Sequence, residues 1–423
     1  MNDNELKAGH LLEIDKLSAR ATDNPIARHF STWVKANQAL DTGSVGGAGY
    51  DLSVGRYLKL PAQDAIDEAT IAALRDKQTT YWDMAPDLPL ILAEKLRVEN
   101  GLDVDPRRQI CLTSGITPAI DTILSAFVSP GDEIVTMDPD FVTTFGQVRA
   151  RLGELVIAPS FVENKGVLDA SRWTFDPAAL ESVITPRTKI LVYTNPNNPI
   201  GYVYSDDDLR AIADIAQRHD LVVLENQCYE RLVHSDEFAR SLTFSSLASL
   251  PGMSDRVITT QGVSKGFHLS GYRVGWIIAS PAIVEVLTFT QMWSSFSMAP
   301  TVTQYGVAVA LSSPLREKYA RDSLAVYREN IDTMTSALRE ISEVECASPA
   351  GGPFCFMDVT GTGLTDREVT KLLYAEGVNT TFGAPWGRRN GDNHVRLALS
   401  NDPEYHREAV DALVAGLKKI LTS

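Results

Sequence analysis

Short apolar runs alternate along the chain with segments that carry apolar residues at helical spacing. The helical pattern occurs in QDAIDEATIAALRDK and LILAEKLRVENG, and Gly101 is placed to end the second helix. Continuous apolar strands follow in QICLTSG, EIVTMDPDF, TKILVYTNPNNP, LVVLENQCY, DRVITTQGVS and YRVGWIIAS, most of them separated by helical segments. This alternation is typical of a parallel sheet that helices cover on both faces.

The pattern changes after about residue 310. A long helical segment, LREKYARDSLAVYRENIDTMTSALREI, precedes the short strands GPFCFMDV and HVRLALS and a final helix. We therefore expect an α/β fold in which a large domain has a mostly parallel sheet flanked by helices, beside a smaller α+β domain. The predicted division is an N-terminal arm at 1–50, a small domain from 51–80 and 311–423, and a large domain at 81–310.

Composition and charge narrow the class of protein. The chain has 423 residues, of which 44% are hydrophobic and 22% charged, as in soluble globular enzymes. Its formal net charge of −15 disfavours nucleic-acid and anionic-membrane partners. The four cysteines show neither paired nor metal-ligand spacing, so we expect a reduced, cytoplasmic setting and no metal site. The sequence has no signal-peptide pattern and no uncharged apolar run long enough to cross a bilayer.

Ligands of doubly wound sheets collect at the carboxyl ends of the strands. The segments that follow the predicted strands are TSGITPA, DPDF, NPNNPIG, ENQCY and GVSKGFHLSGYRVG. In this order they resemble the class I and II aminotransferases, which are fold-type-I transferases that use pyridoxal 5′-phosphate (PLP). The resemblance extends from about residue 50 to the C-terminus. NPNNPIG together with SKGFHLSGYRVGW is a strong signal, whereas either segment alone would be a moderate one.

The resemblance implies a cofactor held by a lysine and an arginine. Lys265 would form the Schiff base with the PLP aldehyde and then act as base or acid at the substrate Cα, with Tyr229 as a second catalytic residue. Arg273 would bind the PLP phosphate through two parallel hydrogen bonds, beside the helix N-terminus at Gly115 and Ile116. The other implied cofactor contacts are Phe141, Asn198, Asn226, Tyr229, Ser264 and, across a dimer interface, Tyr81.

The same resemblance implies an amino-acid substrate and a homodimer with shared active sites. Arg396 would bind the substrate α-carboxylate, and Gly55 and Asn198 would lie on the substrate side of the site. Loops such as 49–60, 292–300 and 380–390 are expected to select the substrate side chain.

Taken singly, these residues have structural explanations. Lys265 could be an ordinary exposed lysine, Phe141 could belong to the core, and Arg396 could form a structural ion pair. The segment NPNNP could be only a turn, because asparagine and proline favour turns. The ordered combination of segments is therefore what points to a site.

Position 226 departs from the family pattern. Asn226 stands where the family normally has a carboxylate, which keeps the pyridine nitrogen of PLP protonated and makes the ring a better electron sink. Glu225 is adjacent, but strand alternation predicts that its side chain points to the opposite face. Gly262 and Ile200 also replace a common phosphate-binding serine and the usual threonine. The resemblance thus implies a retained cofactor site with altered electronics.

The leading hypothesis is a PLP-dependent enzyme of the aminotransferase type that acts at Cα of an amino acid. Asn226 keeps open a specialised β- or γ-elimination, replacement or cyclisation enzyme of secondary metabolism. A PLP-sensing transcription regulator would need a basic DNA-binding module before the PLP domain, and the first 50 residues are too short and not basic. A non-catalytic interaction protein would not require Lys265.

Overall fold

The structure, a computed structural model, describes residues 49–54, 63–80, 84–295 and 298–422. The predictions for Gly55 and Tyr81, and nearly all of the arm predicted at 1–50, lie outside the described residues. The strands of the described part are β1 (Tyr50–Asp51), β2 (Ile110–Thr113), β3 (Glu133–Met137), β4 (Glu154–Ala158), β5 (Phe161–Glu163), β6 (Trp173–Phe175), β7 (Thr188–Thr194), β8 (Val222–Asn226), β9 (Val257–Gly262), β10 (Gly275–Ile278), β11 (Phe354–Asp358), β12 (Val378–Asn379), β13 (Thr381–Phe382) and β14 (His394–Ala398). The α-helices there are α1 (Gln63–Arg75), α2 (Leu88–Asn100), α3 (Ile116–Phe127), α4 (Val142–Ala150), α5 (Pro177–Glu181), α6 (Asp206–Arg218), α7 (Asp236–Ser241), α8 (Pro281–Ser294), α9 (Thr301–Leu311), α10 (Leu315–Leu338), α11 (Asp366–Ala375) and α12 (Pro403–Thr422).

The largest sheet of the described chain has seven strands in the order β2-β10-β9-β8-β7-β3-β4. Neighbours from β9 through β4 run parallel, whereas β10 is antiparallel to both β2 and β9. The predicted α/β fold with a mostly parallel sheet is therefore confirmed. Apolar periodicity carries no information about strand direction, so the reversed β10 could not be read from YRVGWIIAS.

Successive residues of the central strands enter different cores. Leu191 and Val223 pack in one hydrophobic cluster, whereas Ile190 and Leu224 pack in another. Side chains alternate between the two faces of a strand, so these clusters cover opposite faces of the sheet. Burial on both faces explains why the strands read as continuous apolar runs.

Local signals set the helix ends. At the start of α6, the Ser205 hydroxyl accepts from the Asp208 N–H while the Asp208 carboxylate accepts from the Ser205 N–H, which forms a capping box. At the end of α2, Gly101 adopts a φ of 66°, as the predicted stop requires. Within the described residues, no helix combines the length and the apolar character that a membrane crossing needs.

A smaller antiparallel sheet, β11-β14-β13, lies in the C-terminal part of the chain. Its strands share a core with α10 and α12, and β1 pairs with β12, which joins residues near 50 to this unit. The domain boundaries at 80 and 310 stay a prediction. Helix α1 lies in the range predicted for the small domain, but its Ile66 packs in the same core as Leu88 of α2 and Val307 of α9, which lie in the range predicted for the large domain.

Candidate active site

A cavity of about 330 Å³ lies at the carboxyl ends of β7, β8 and β9. Its lining includes these residues predicted from the sequence: Ile116, Phe141, Asn198, Asn226, Tyr229, Ser264, Lys265, Arg273 and Arg396. They come from distant parts of the chain, and folding brings them to one place. Gly115 directly precedes Ile116 at the start of α3 and lies against Arg273.

Gly115 and Arg273 form a concave cationic corner of the cavity. Gly115 has a φ of 104°, and a Cβ added there would lie 2.6 Å from Arg273 Nη2. The guanidinium donates to the carbonyls of Ser114 and Ser270 at 3.0 and 2.8 Å. No carboxylate pairs with it in the part of the chain that the structure describes. A cation beside the N-terminus of α3, with no side chain at Gly115, suits a phosphate group.

Lys265 lies half-buried in the loop after β9. Burial, together with the positive charges of Arg396 and Arg273, lowers the pKa of Lys265 to about 8. Both effects disfavour the ammonium form. Lys265 therefore has a substantial neutral-amine population close to neutral pH, which a nucleophile or a general base needs.

Arg396 on β14 is held between two aromatic rings. Its guanidinium carbon lies 3.9 Å from the ring centroid of Phe354 and 4.3 Å from that of Trp386. Nη2 donates to the Ser53 carbonyl at 2.9 Å, and Nη1 lies 3.3 Å from Asn198 Oδ1. Burial lowers the pKa of Arg396 to about 10, so it remains a cation at neutral pH. A buried cation that contacts only neutral acceptors among the described residues is suited to a carboxylate ligand.

Asn198 also fixes the hydroxyl of Tyr229. Its Nδ2 donates to the Tyr229 oxygen at 2.8 Å. Burial raises the pKa of Tyr229 well above its ordinary value, so the phenol keeps its proton. Because the Tyr229 oxygen accepts from Asn198, its O–H remains a donor for a group in the cavity.

The end of β8 places its two neighbouring polar residues on opposite sides. Asn226 lines the cavity. Glu225 points away, as strand alternation predicts, and accepts from the hydroxyls of Tyr193 at 2.6 Å and Ser246 at 2.8 Å. Position 226 therefore presents an amide, not a carboxylate, to the cavity.

Two further departures from the family pattern have packing explanations. A Cβ at Gly262 would lie 3.1 Å from the Val274 carbonyl oxygen and 3.2 Å from Ile116 Cγ1, so a serine would be crowded. Ile200 is buried within the hydrophobic cluster of Phe161.

Phe354, which encloses Arg396 together with Trp386, is the clearest case of a cavity residue that was not singled out in the sequence. Trp386 itself lies in the loop 380–390 that was expected to select the substrate side chain. The expected specificity loops 49–60 and 380–390 do reach the cavity, through Val54 and Trp386, but no described residue of 292–300 lines it. Phe354 gave no local signal, since an aromatic residue on a short strand is ordinarily core.

Comparison with known proteins agrees with this geometry. Residues 49–413 match the model of the family described as aminotransferase class I and II. The aspartate aminotransferase of Pyrococcus abyssi is 31% identical over 335 residues, which cover 79% of this chain and 82% of that protein. Aromatic-amino-acid aminotransferase 2 of Thermococcus litoralis is 29% identical, with coverage of 87% and 90%.

The fold also matches solved structures. A double mutant of the Thermus thermophilus aspartate aminotransferase superposes with a TM-score of 0.81 and 26% identity, over 94% of this chain and 99% of that one. Sequence and fold therefore agree over most of the chain, and the same residues that carry the resemblance line one cavity. The chain belongs to the class I and II aminotransferase family.

Proposed function

We propose that this protein transfers an amino group from an amino acid to a 2-oxo acid with PLP attached at Lys265. The observation that carries the proposal is the meeting of Lys265, Arg273 and Arg396 in one cavity that no carboxylate lines among the described residues. Arg273 suits the PLP phosphate, and Arg396 suits the substrate α-carboxylate. Lys265 offers a primary amine for the PLP aldehyde.

The residues present fit PLP. Gly115 leaves the space that a Cβ would fill, and Arg273, which pairs with no carboxylate of the described residues, supplies a cation for the phosphate. Asn198 and Tyr229 offer donors for the ring oxygen, and Phe141 offers an aromatic ring in the cavity wall. When bound, PLP withdraws electrons from the substrate and so weakens its Cα–H bond.

The chain's own groups account for the remaining steps. Arg396 holds the substrate α-carboxylate and thereby orients Cα. Lys265 Nζ takes the proton from Cα and returns it during transfer, and its lowered pKa suits this exchange near neutral pH. The rings of Phe354 and Trp386 exclude water around Arg396 and strengthen its attraction for a carboxylate.

A second candidate is elimination, replacement or cyclisation at Cβ or Cγ of an amino acid. The observation that favours it is Asn226 in the cavity wall, since an uncharged amide is a weaker partner for a cationic ring than a carboxylate. The aspartate and aromatic-amino-acid specificities of the relatives differ from one another. The substrate side chain therefore does not follow from family membership.

Two experiments test the proposal. Purified protein with PLP should show visible absorption that Lys265→Ala abolishes. Lys318→Ala, which changes an exposed lysine paired with Asp322, should retain it.

A panel of amino acids is then incubated with and without a 2-oxo acid, and the products are identified by mass spectrometry. Products that require the 2-oxo acid support transfer. Products formed without it support the second candidate, and a wild type that does not bind PLP overturns both.

We further propose that the protein is a homodimer. Helix α8 exposes Phe289 at 61% and Trp293 at 80% of their surface, and Val286 lies on the same side of the helix. Neighbouring exposed apolar residues on a helix face mark an interaction surface. A second copy is the partner that the family resemblance implies, and it would complete the exposed side of the site near Arg273.

A further inference from the structure

Asp140 is a buried carboxyl group directly behind the cavity wall. It precedes Phe141, which lines the cavity, and 1% of its surface is exposed. Its Oδ1 accepts from the Phe141 N–H at 2.6 Å, and its Oδ2 accepts from the Thr194 N–H at 3.2 Å. No cation pairs with it in the described ranges of the chain. Nothing in the proposed transfer reaction uses this acid directly.

Thr194 connects Asp140 to the cavity. Thr194 on β7 is the register partner of Asn226 on the parallel strand β8, so their side chains lie on the same face of the sheet. The Asp140 carboxylate accepts from the Thr194 N–H at 3.2 Å and lies within reach of the Thr194 hydroxyl, and Asn226 Nδ2 donates to Thr194 Oγ1 at 3.4 Å. Three polar side chains therefore form a continuous chain that ends at a residue of the cavity wall.

The chemistry of these groups sets the direction of the hydrogen bonds. An ionised Asp140 can only accept, so the single hydroxyl hydrogen of Thr194 points to it. The lone pairs of Thr194 Oγ1 then face Asn226, which must present its Nδ2 donor. Asn226 Oδ1 accepts from the Cys228 N–H at 3.2 Å and retains a second lone pair.

Such a chain changes the acceptor strength of Asn226. Hydrogen bonds in series polarise one another, and donation from the amide N–H makes the amide oxygen a stronger acceptor. A buried negative charge at Asp140 is only weakly screened, so it also acts on the cavity directly. Both effects favour a donor that carries positive charge next to Asn226.

We propose that Asp140 and Thr194 are positioning residues that transmit a buried negative charge to Asn226, so that Asn226 stabilises a protonated ring nitrogen in bound PLP. The inference rests on the proposed use of PLP. The carboxylate that position 226 lacks would then be supplied by Asp140, which acts on Asn226 through Thr194. The competing explanation is that Asp140 only anchors the backbone at Phe141.

The groups that act on Asp140 bear on the choice of pH for the test. Burial raises the pKa of Asp140 to about 7, so the carboxylate is ionised above neutral pH. The titratable side chain that faces it is Tyr204, whose own pKa is raised by burial, so this phenol stays neutral. Thr136 Oγ1 lies near Asp140 but has no hydrogen-bond partner among the described residues.

The test is the ¹⁵N NMR signal of bound PLP that carries ¹⁵N in its ring, because this signal reports ring protonation and not turnover. Spectra are recorded at about pH 9, above the pKa of Asp140. The wild-type signal is expected at the protonated position. Asp140→Asn removes the charge, and Thr194→Val removes the relay while leaving the carboxylate. Both should move the signal toward the unprotonated position.

Two further variants separate the relay from simple packing. Asn226→Asp in the Asp140→Asn background places the acid at the ring and should restore the protonated signal. Thr136→Val is the matched control, because it removes a buried threonine hydroxyl near Asp140 that makes no hydrogen bond among the described residues and does not lead to Asn226. Its signal should equal that of the wild type. If Asp140→Asn does not fold, Thr194→Val and Thr136→Val decide the question.

The possible outcomes are distinct. An unprotonated wild-type signal, or a protonated signal retained in Thr194→Val and in folded Asp140→Asn, overturns the relay and leaves Asp140 as a backbone anchor. A wild type that binds no PLP instead overturns the proposed function, which is a separate failure.

Discussion

Lys265 shows how much its surroundings determine the chemistry of one residue. Most lysines are solvated surface cations, whereas this one lies half-buried beside two arginines. The sequence motif identified the residue as a candidate. Its pKa is lowered first by burial and then by the charges of Arg396 and Arg273. Arg396 is 131 positions away in the chain, and no local pattern could place it next to Lys265.

We predict that the rate at which the apoprotein captures PLP rises with pH and levels off above about pH 8, because only the neutral amine of Lys265 reacts. Arg396→Gln removes a nearby positive charge, so the pKa of Lys265 should rise and the midpoint should move to higher pH. Rapid-mixing absorbance measurements across pH check this. Arg407→Gln, which removes an exposed arginine elsewhere, should leave the midpoint in place; an unchanged midpoint in Arg396→Gln would contradict the charge argument.

Gly115 provides a second prediction at this scale. Gly115→Ala adds a Cβ 2.6 Å from Arg273 Nη2 at a φ of 104°, so the phosphate corner must rearrange. The dissociation constant of PLP should rise at least tenfold, which is about 1.4 kcal/mol. Gly271→Ala is the control, since a Cβ there meets nothing within 4 Å. Equal PLP affinities for the two variants in a fluorescence titration would contradict the prediction.

At the level of elements, alternation along β8 separates a structural acid from the cavity. Glu225 accepts from Tyr193 and Ser246 on one face, and Asn226 lines the cavity on the other. This arrangement could be inferred from the strand pattern, because a two-residue period is a property of the extended backbone. The antiparallel direction of β10 could not, because strand order depends on contacts between distant segments.

We predict that Glu225→Ala lowers the free energy of unfolding by about 1–3 kcal/mol, because it leaves the buried Tyr193 and Ser246 hydroxyls without their partner. The dissociation constant of PLP should stay within about twofold of wild type, since Glu225 does not face the cavity. Urea unfolding and a PLP titration measure the two quantities. A large loss of PLP affinity with unchanged stability would show that Glu225 acts on the site.

For the whole molecule, a buried charge cluster ties the β5–β6 hairpin to the small sheet. Arg172 on the hairpin side pairs with Glu163, Glu345 and Asp358, and Lys165 pairs with Asp358 as well. Glu163, Asp358 and His394 have ligand atoms close enough together for a metal ion. Arg172 and Lys165 already neutralise these carboxylates, so the cluster acts as an ion-pair network.

We predict that Arg172→Met lowers the free energy of unfolding by about 3 kcal/mol, because it removes the buried partner of Glu163 and Asp358 and leaves them paired with the more exposed Lys165. Arg210→Met removes an exposed pair with Asp207 and should cost about 0–1 kcal/mol. Chemical unfolding of both variants measures the difference. Similar losses for the two arginines would mean that burial of the cluster does not matter.

The proposed dimer gives the last prediction. Trp293→Glu places a charge on the exposed apolar face of α8, so it should shift the protein from dimer toward monomer in sedimentation experiments. Leu372→Glu, a change at an exposed apolar residue on α11, should not. A monomeric wild type, or equal sedimentation of all three proteins, would rule out α8 as the interface.

Helix and strand positions and the mostly parallel sheet could be inferred from the residues alone, because they depend on local periodicity and capping along the chain. The candidates Lys265, Arg273 and Arg396 came from the resemblance that the ordered segments bear to a known family. The rings around Arg396 and the path from Asp140 through Thr194 to Asn226 could not be inferred. They join side chains from separate strands and loops, and such neighbours arise only when the chain has packed into its sheet and cores.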